Sequence, residues 1–223
     1  MIMHPDIPAD SFNRIKFLVI EGNIGAGKTS LVKKIAEQFN AKTIFEQFAE
    51  NPFLPKFYEN PDKYSFPLEL SFLADRYHQL KREIENPDLF KTFTIADYYF
   101  MKSLIFSKST LQDDEYALYR QIFDIIYSTL PRPDLYVYLH VTVDNLLYNI
   151  KTRGRNYEQN IKAEYLESIQ NGYFNFFRQQ QDLKILIIDT NNIDFVNNRE
   201  DYNQILKTIF SKQYEIGINR VIF

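Results

Sequence analysis

Residues 16–29 read KFLVIEGNIGAGKT. An apolar run leads into a glycine-rich turn and then into Lys28 and Thr29 at the head of a helical pattern, the strand, loop and helix context that a phosphate-binding loop requires. Gly22, Gly27, Lys28 and Thr29 fill the fixed positions of GxxxxGK[ST], and half of the chain's 6 glycines, Gly22, Gly25 and Gly27, lie in this stretch. Backbone N–H groups of such a loop, here Gly22, Asn23, Gly25, Ala26 and Gly27, turn inward beside the positive end of the next helix and form a concave site for phosphate oxygens. Lys28 is placed to bridge the β- and γ-phosphates of a nucleotide and Thr29 to hold Mg²⁺. The rival reading, a plain glycine turn before a helix, fits this coincidence of fixed positions and flanking elements poorly.

Outward from the loop, Leu31, Ile35 and Phe39 recur every four residues and predict a helix with one buried stripe, with Lys33 and Lys34 on its solvated side. A short second strand, Lys42 to Phe45, delivers Glu46 at its carboxyl end, the edge of an open parallel sheet where ligands bind. A carboxylate there can take a proton from an attacking hydroxyl while the loop holds the phosphate donor, although a solvated loop acid is the commoner fate of a glutamate. Four prolines between Asn51 and Pro67 turn the chain repeatedly. Leu70, Leu73, Tyr77, Leu80 and Ile84 then predict a helix with a core stripe, and Glu69, Phe72 and Arg76 lie along a different face of it. That second face offers a carboxylate and a guanidinium beside an aromatic ring, or two exposed charges beside a core phenylalanine.

The third strand, Thr92 to Ala96, ends in Asp97, which reads either as a Mg²⁺ or substrate anchor at the catalytic edge or as a helix N-cap before Tyr98. Long, broken helix is expected from there to Leu130, stopped by PRPD at residues 131–134. Leu135 to Val141 is the fourth strand and Lys184 to Ile188 the fifth. Between them Arg153 and Arg155 straddle Gly154, as suits a lid over roughly residues 151–160 that closes on donor phosphates and offsets transition-state charge. No Asn-Lys-x-Asp guanine readout follows the fourth strand, and Asp189 to Phe195 is placed to wrap the adenine of ATP. The last stretch reads as a terminal helix and a short tail.

Composition narrows the class. With 223 residues, 45% of them hydrophobic, the chain suits one α/β domain over residues 15–223 preceded by a loose leader at 1–14. It has no cysteine, which excludes disulfides, zinc-thiolate sites and thiol nucleophiles, and its 3 histidines are scattered. A net charge of −3 argues against a nucleic-acid surface, because counterion release needs clustered cations. No apolar run reaches the ~18 residues that span a bilayer, so a cytoplasmic protein with no membrane partner is expected.

The order of motifs, GNIGAGKT, a Glu after strand two, NPFLPKFYENPDKYSFPLE, ADR and TRGRNYEQNIKAEYLE, resembles the deoxynucleoside kinase family, particularly its bacterial purine kinases, from about Lys16 to Phe195. The resemblance implies a five-stranded parallel sheet between helices with a mobile lid, usually as a homodimer. It implies transfer of the γ-phosphoryl group of ATP, with Mg²⁺, to the 5′-hydroxyl of a 2′-deoxynucleoside. Glu46 matches the family's general base, Tyr58 and Glu158 match residues that hold the sugar 3′-hydroxyl, and Phe57 falls in the same substrate segment. Arg153 and Arg155 match the lid arginines, Phe106 an aromatic that stacks on the base, and Arg76 an arginine near the base edge.

Three positions depart from the family pattern. Glu69 stands where many relatives have a glutamine facing the base. Asp97-Tyr98 stands where many have Glu-Arg, so the arginine that would brace the general base must come from elsewhere. Lys102 falls near the place of an acid that contacts purines. An ionised Glu69 suits the N1–H and amino group of guanine, whereas the overall likeness to deoxyadenosine kinases favours deoxyadenosine. The rival enzyme is a thymidylate-type monophosphate kinase, which shares loop, lid and Ala-Asp-Arg but should place a cation where Glu46 sits. A rival of another class is a nucleotide-binding subunit without turnover, which would be free to lose Glu46, Lys28, Arg153 and Arg155.

Overall fold

The computed structural model describes residues 14–47, 51–86, 88–155 and 158–223, and within helix it does not describe the side chain of Tyr58. The expected leader therefore lies, but for Arg14, outside the described residues. Two compact units emerge from the chain. The first holds the described residues up to Ile44 with Asp88–Asp97 and Arg132–Phe223, and the second holds Phe45–Pro87 and Tyr98–Pro131.

The first unit carries the sheet. Its strands are β1 (Phe17–Gly22), β2 (Lys42–Ile44), β3 (Thr94–Ala96), β4 (Leu135–His140), β5 (Lys184–Asp189) and β6 (Gly217–Ile222), in the spatial order β2-β3-β1-β4-β5-β6. All the pairings are parallel. β1 is buried along its whole length and sits between β3 and β4, which is why its first four residues, FLVI, are a continuous apolar run and not an alternating one. Its helices are α1 (Lys28–Phe39), α6 (Val143–Arg153), α7 (Ala163–Gln179) and α8 (Arg199–Ser211). Tyr136 and Tyr138, two residues apart and so on one face of β4, meet Phe177 of α7 at 5.5 and 5.2 Å between ring centroids. Phe39 of α1 and Phe93 both pack on Phe210 of α8.

The sheet has six strands, which corrects the expected five. GINRVI pairs with β5 from Lys184 opposite Gly217 to Asp189 opposite Ile222. As an edge strand it is only half-buried, with Ile218, Arg220 and Ile222 exposed, so it lacks the apolar continuity that marked the other strands and read as a tail.

The second unit is helical: α2 (Leu54–Glu59), α3 (Pro61–Glu85), α4 (Met101–Thr110) and α5 (Asp113–Tyr127). The helix expected after strand three is broken at Leu111 and Gln112, where Gln112 and Glu115 form a reciprocal cap that starts α5. Phe100 stacks on Phe123 at 4.9 Å and Phe123 on Tyr127 at 5.3 Å, forming the aromatic core of this unit. Along α3, Leu73 and Leu80 are buried as the stripe predicts, but so are Glu69 and Arg76, while Leu70, Tyr77 and Ile84 are half-buried. Burial thus turns partly toward the face that carries the charges, and those charges must be paired within the protein.

Candidate active site

In the first unit the loop after β1 has the shape that its glycines dictate. Gly25 and Gly27 adopt φ of +85° and +83°, the left-handed region that β-carbons disfavour. A Cβ on Gly25 would lie 2.9 Å from the Leu146 carbonyl oxygen, and one on Gly27 would lie 2.7 Å from Cζ of Phe195. Phe195 thereby places the end of the segment after β5 against the loop, and Lys34 of α1 secures it by donating to the carbonyls of Phe195 and Val196. Asn23 donates to the Leu166 carbonyl and accepts from the Ile24 N–H, while the Lys28 ammonium donates to the Asn23 carbonyl at 2.9 Å. The loop is therefore held open by its own side chains, with its lysine folded over it.

Thr29 donates to Oδ2 of Asp97 at 2.6 Å. The N-cap reading of Asp97 does not hold, because α4 begins at Met101 with Phe100 at its cap position. A hydroxyl and a buried carboxylate side by side are hard oxygen donors of the kind Mg²⁺ takes. No cluster of three or more His, Cys, Asp or Glu suited to a metal occurs among the described residues. A cation here would thus need phosphate oxygens and water for its remaining ligands.

Also in the first unit, α6 ends at Arg153, and Gly154 at φ +73° turns the chain out of the helix. Arg153 and Arg155 both pair with the carboxylate of Glu158, Arg155 at 3.3 Å. Asn156 and Tyr157, the rest of the expected lid tip, lie outside the described residues.

The second unit holds Glu46 in a buried ionic cluster. Arg76 donates to Oε1 through Nε at 3.1 Å and Nη2 at 2.8 Å, and its Nη1 donates to Ser103 at 2.9 Å. Lys102 pairs with Oε2. Burial alone would push the Glu46 carboxyl up, but Lys102 and Arg76 together outweigh it and hold the group at about 2. The same two cations lie over aromatic rings, Arg76 over Phe72 at 5.0 Å and Lys102 over Phe106 at 5.1 Å. Glu69, one turn before Phe72, accepts from Thr110 at 2.8 Å, and burial pushes its carboxyl up to about 7. Phe57 lies on α2, half-buried, and Tyr58 follows it with a side chain outside the described residues.

Residues 18–213 match the family model for deoxynucleoside kinases. The chain belongs to the deoxynucleoside kinase family. It is therefore an enzyme, a phosphotransferase that acts on deoxynucleosides. A deoxyguanosine kinase of Bacillus subtilis is 36% identical over 86% of this chain and 95% of its own. A deoxyadenosine kinase of Lactobacillus acidophilus is 28% identical over 91% of this chain and 99% of its own. Among solved structures, the deoxyadenosine kinase of M. mycoides with dCMP and a flexible dCDP bound superposes with a TM-score of 0.74 at 25% identity, covering 88% of this chain and 100% of that one.

The kinase gathers the sequence-predicted residues into two sets, one in each unit. Lys28, Thr29, Asp97, Arg153, Arg155 and Glu158 belong to the first unit, and Glu46, Phe57, Glu69, Arg76 and Phe106 to the second. Sequence reasoning missed the ion pair between Lys102 and Glu46 and the burial of Glu69. For Lys102 a signal existed, since it precedes Phe106 by one helical turn and so shares its face. Among the described residues no helix is long and apolar enough to cross a membrane.

Proposed function

We propose that this kinase transfers the γ-phosphoryl group of ATP to the 5′-hydroxyl of a purine 2′-deoxynucleoside, with deoxyadenosine favoured and deoxyguanosine next. The carboxylate of Glu46, ion-paired with the buried Arg76 and Lys102, carries the reading. A monophosphate kinase needs a cation for the acceptor phosphate, and here the two cations are already committed to a carboxylate, which suits a neutral alcohol. The relatives named above include both deoxyadenosine and deoxyguanosine kinases, which supports a purine.

Glu46, two residues past the end of β2, accepts the proton of the 5′-hydroxyl as its oxygen bonds to the γ-phosphorus and the bond from that phosphorus to the β-γ bridging oxygen breaks. Phosphoryl transfer has a loose transition state in which the nucleophile loses its proton late, so a carboxylate held near 2 serves by orienting the hydroxyl more than by basicity. Lys28 and the loop amides grip the donor phosphates. Thr29 and Asp97 would hold Mg²⁺, which would supply positive charge to the donor phosphates. Arg153 and Arg155 leave Glu158 for the phosphates when the lid closes, and Glu158 with Tyr58 then receives the 3′-hydroxyl. Phe106 and Phe72 flank the base. A homodimer, as the family resemblance implies, working in the cytoplasm completes the reading.

Turnover of Mg-ATP against the four deoxynucleosides, their ribose counterparts and thymidine monophosphate tests the assignment. Preferential phosphorylation of a purine deoxynucleoside is expected. Faster turnover of the monophosphate would overturn it.

A further inference from the structure

Glu69 is a carboxyl group buried in the second unit with no cation of its own. It is 4% exposed. Oε1 accepts from Thr110 of α4, and Oε2 has no hydrogen-bond partner among the described residues. Arg76, seven residues along α3, directs Nε and Nη2 at Glu46 and Nη1 at Ser103. The remaining ionisable neighbours are Glu46, whose charge opposes ionisation of Glu69, and Tyr119 of α5, whose hydroxyl donates to the Glu69 backbone carbonyl at 3.4 Å. Ser103 and Ser107 of α4 lie beside Tyr119 and carry no charge, and Lys102 on the same helix is ion-paired to Glu46. A buried carboxylate oxygen without a donor is strongly disfavoured unless it is protonated or a ligand supplies the donor.

We infer that Glu69 meets the purine as a neutral acid, and that its protonation state sets the choice between a 6-amino and a 6-oxo base. The inference rests on the proposed purine deoxynucleoside activity and specifies how that site selects its substrate. With Thr110 donating to Oε1, the proton belongs on Oε2. The acid then offers what a glutamine amide offers, one donor and one acceptor on neighbouring atoms. Adenine needs both, since its 6-amino group donates and its ring nitrogen accepts. An ionised carboxylate has no donor for that nitrogen and leaves it buried without a partner, the kind of loss that discriminates most strongly between substrates. Guanine tolerates either form, because N1–H and the 2-amino group both donate to a carboxylate, while O6 accepts from the neutral acid. Rising pH should thus weaken deoxyadenosine selectively.

The test is kcat/KM for deoxyadenosine and for deoxyguanosine on the same enzyme between pH 5.5 and pH 9, in about half-unit steps, taken as a ratio so that effects on ATP binding, the lid and Glu46 cancel. The ratio of deoxyadenosine to deoxyguanosine is expected to hold steady at the acid end and to fall by up to about tenfold per pH unit on the alkaline side. Glu69→Gln, which cannot titrate, should flatten the ratio and keep the acid-side preference. A ratio independent of pH in the natural chain, or an undiminished slope in Glu69→Gln, overturns the inference while leaving the kinase reading in place. Turnover confined to pyrimidine deoxynucleosides, or absent from every deoxynucleoside at every pH, instead rejects the purine reading and this inference with it.

Discussion

Arg76 holds Glu46 with two nitrogens on a single oxygen, Nε at 3.1 Å and Nη2 at 2.8 Å to Oε1. Lys102 takes the other oxygen. The resemblance implies an arginine where Tyr98 stands in this chain, and here the cations that hold Glu46 come from two helices, α3 and α4. The buried pair is compensated by the third nitrogen of Arg76 on Ser103, which satisfies the guanidinium where water cannot reach. A carboxylate fixed in this way is ionised at every physiological pH.

Glu46→Gln should therefore cost about 10²–10³-fold in kcat, since it keeps the shape but removes the charge and the proton acceptor. ATP affinity, measured by nucleotide binding without acceptor, should stay within about twofold, because the donor loop belongs to other residues. Near-normal kcat would take the acceptor role away from Glu46.

Lys102→Met should shift the pH dependence on the acid side. With one cation gone, burial has less opposition and the Glu46 carboxyl rises from about 2 toward and beyond its ordinary 4.5. An acid limb should enter the kcat/KM profile, and Lys102→Arg should remove it again. The stability sign is fixed as well. A carboxyl held below its unfolded value contributes stability that is present above pH 4.5 and lost as pH falls toward 2. Lys102→Met should accordingly lose about 2 kcal/mol near neutrality from the broken charge-assisted hydrogen bond, and its deficit against the natural chain should shrink as pH falls from 4.5 toward 2.

The donor half of the site was legible because its chemistry is written in consecutive residues, and GNIGAGKT specifies backbone shape and function together. The core strands were legible for the same reason, as short apolar runs. The acceptor half was not, because Glu46, Arg76 and Lys102 come together only through the packing of α3 and α4. In sequence Glu69 and Arg76 read either as a pair facing a base or as two exposed charges, and nothing short of tertiary structure says that both are buried. The sixth strand escaped for a different reason: half of its residues face solvent, so GINRVI carries only a weak version of the pattern that marks a sheet interior.

Glu69→Gln should alter the pH dependence of stability in the opposite sense to Lys102→Met. Burial raises the Glu69 carboxyl from 4.5 to about 7, so the native state binds more protons than the unfolded chain between those values. Stability of the natural chain falls as pH rises through that window and levels off above it, by roughly 3 kcal/mol at most. Glutamine abolishes this term. The difference in unfolding free energy, variant minus natural chain, should grow from pH 4.5 to 7 in urea titrations and then become constant. A difference that does not change with pH would mean that the carboxyl titrates normally.

Glu158 ties down both lid arginines, Arg155 at 3.3 Å and Arg153 more closely, and it is nearly buried while they remain partly exposed. Its carboxylate has two competing uses in the proposed mechanism, restraining the arginines in the resting enzyme and receiving the sugar 3′-hydroxyl in the complex. Glu158→Ala removes both. Loss of the sugar contact should raise KM for the deoxynucleoside by about 10-fold or more and erase the advantage over a 3′-deoxy analogue, since a missing buried hydrogen bond to a charged group is worth about 1.5–3 kcal/mol. Release of the arginines acts the other way on the donor side: two cations freed from a carboxylate bind polyphosphate more readily, so KM for ATP should fall or hold while the nucleoside KM rises. Glu158→Gln separates the two uses, because an amide still bonds the hydroxyl but no longer pairs with guanidinium charge. It should restore much of the nucleoside KM and keep the lowered ATP KM. If both Michaelis constants move together in both variants, Glu158 acts only as a support for the lid, and its assignment to the sugar fails.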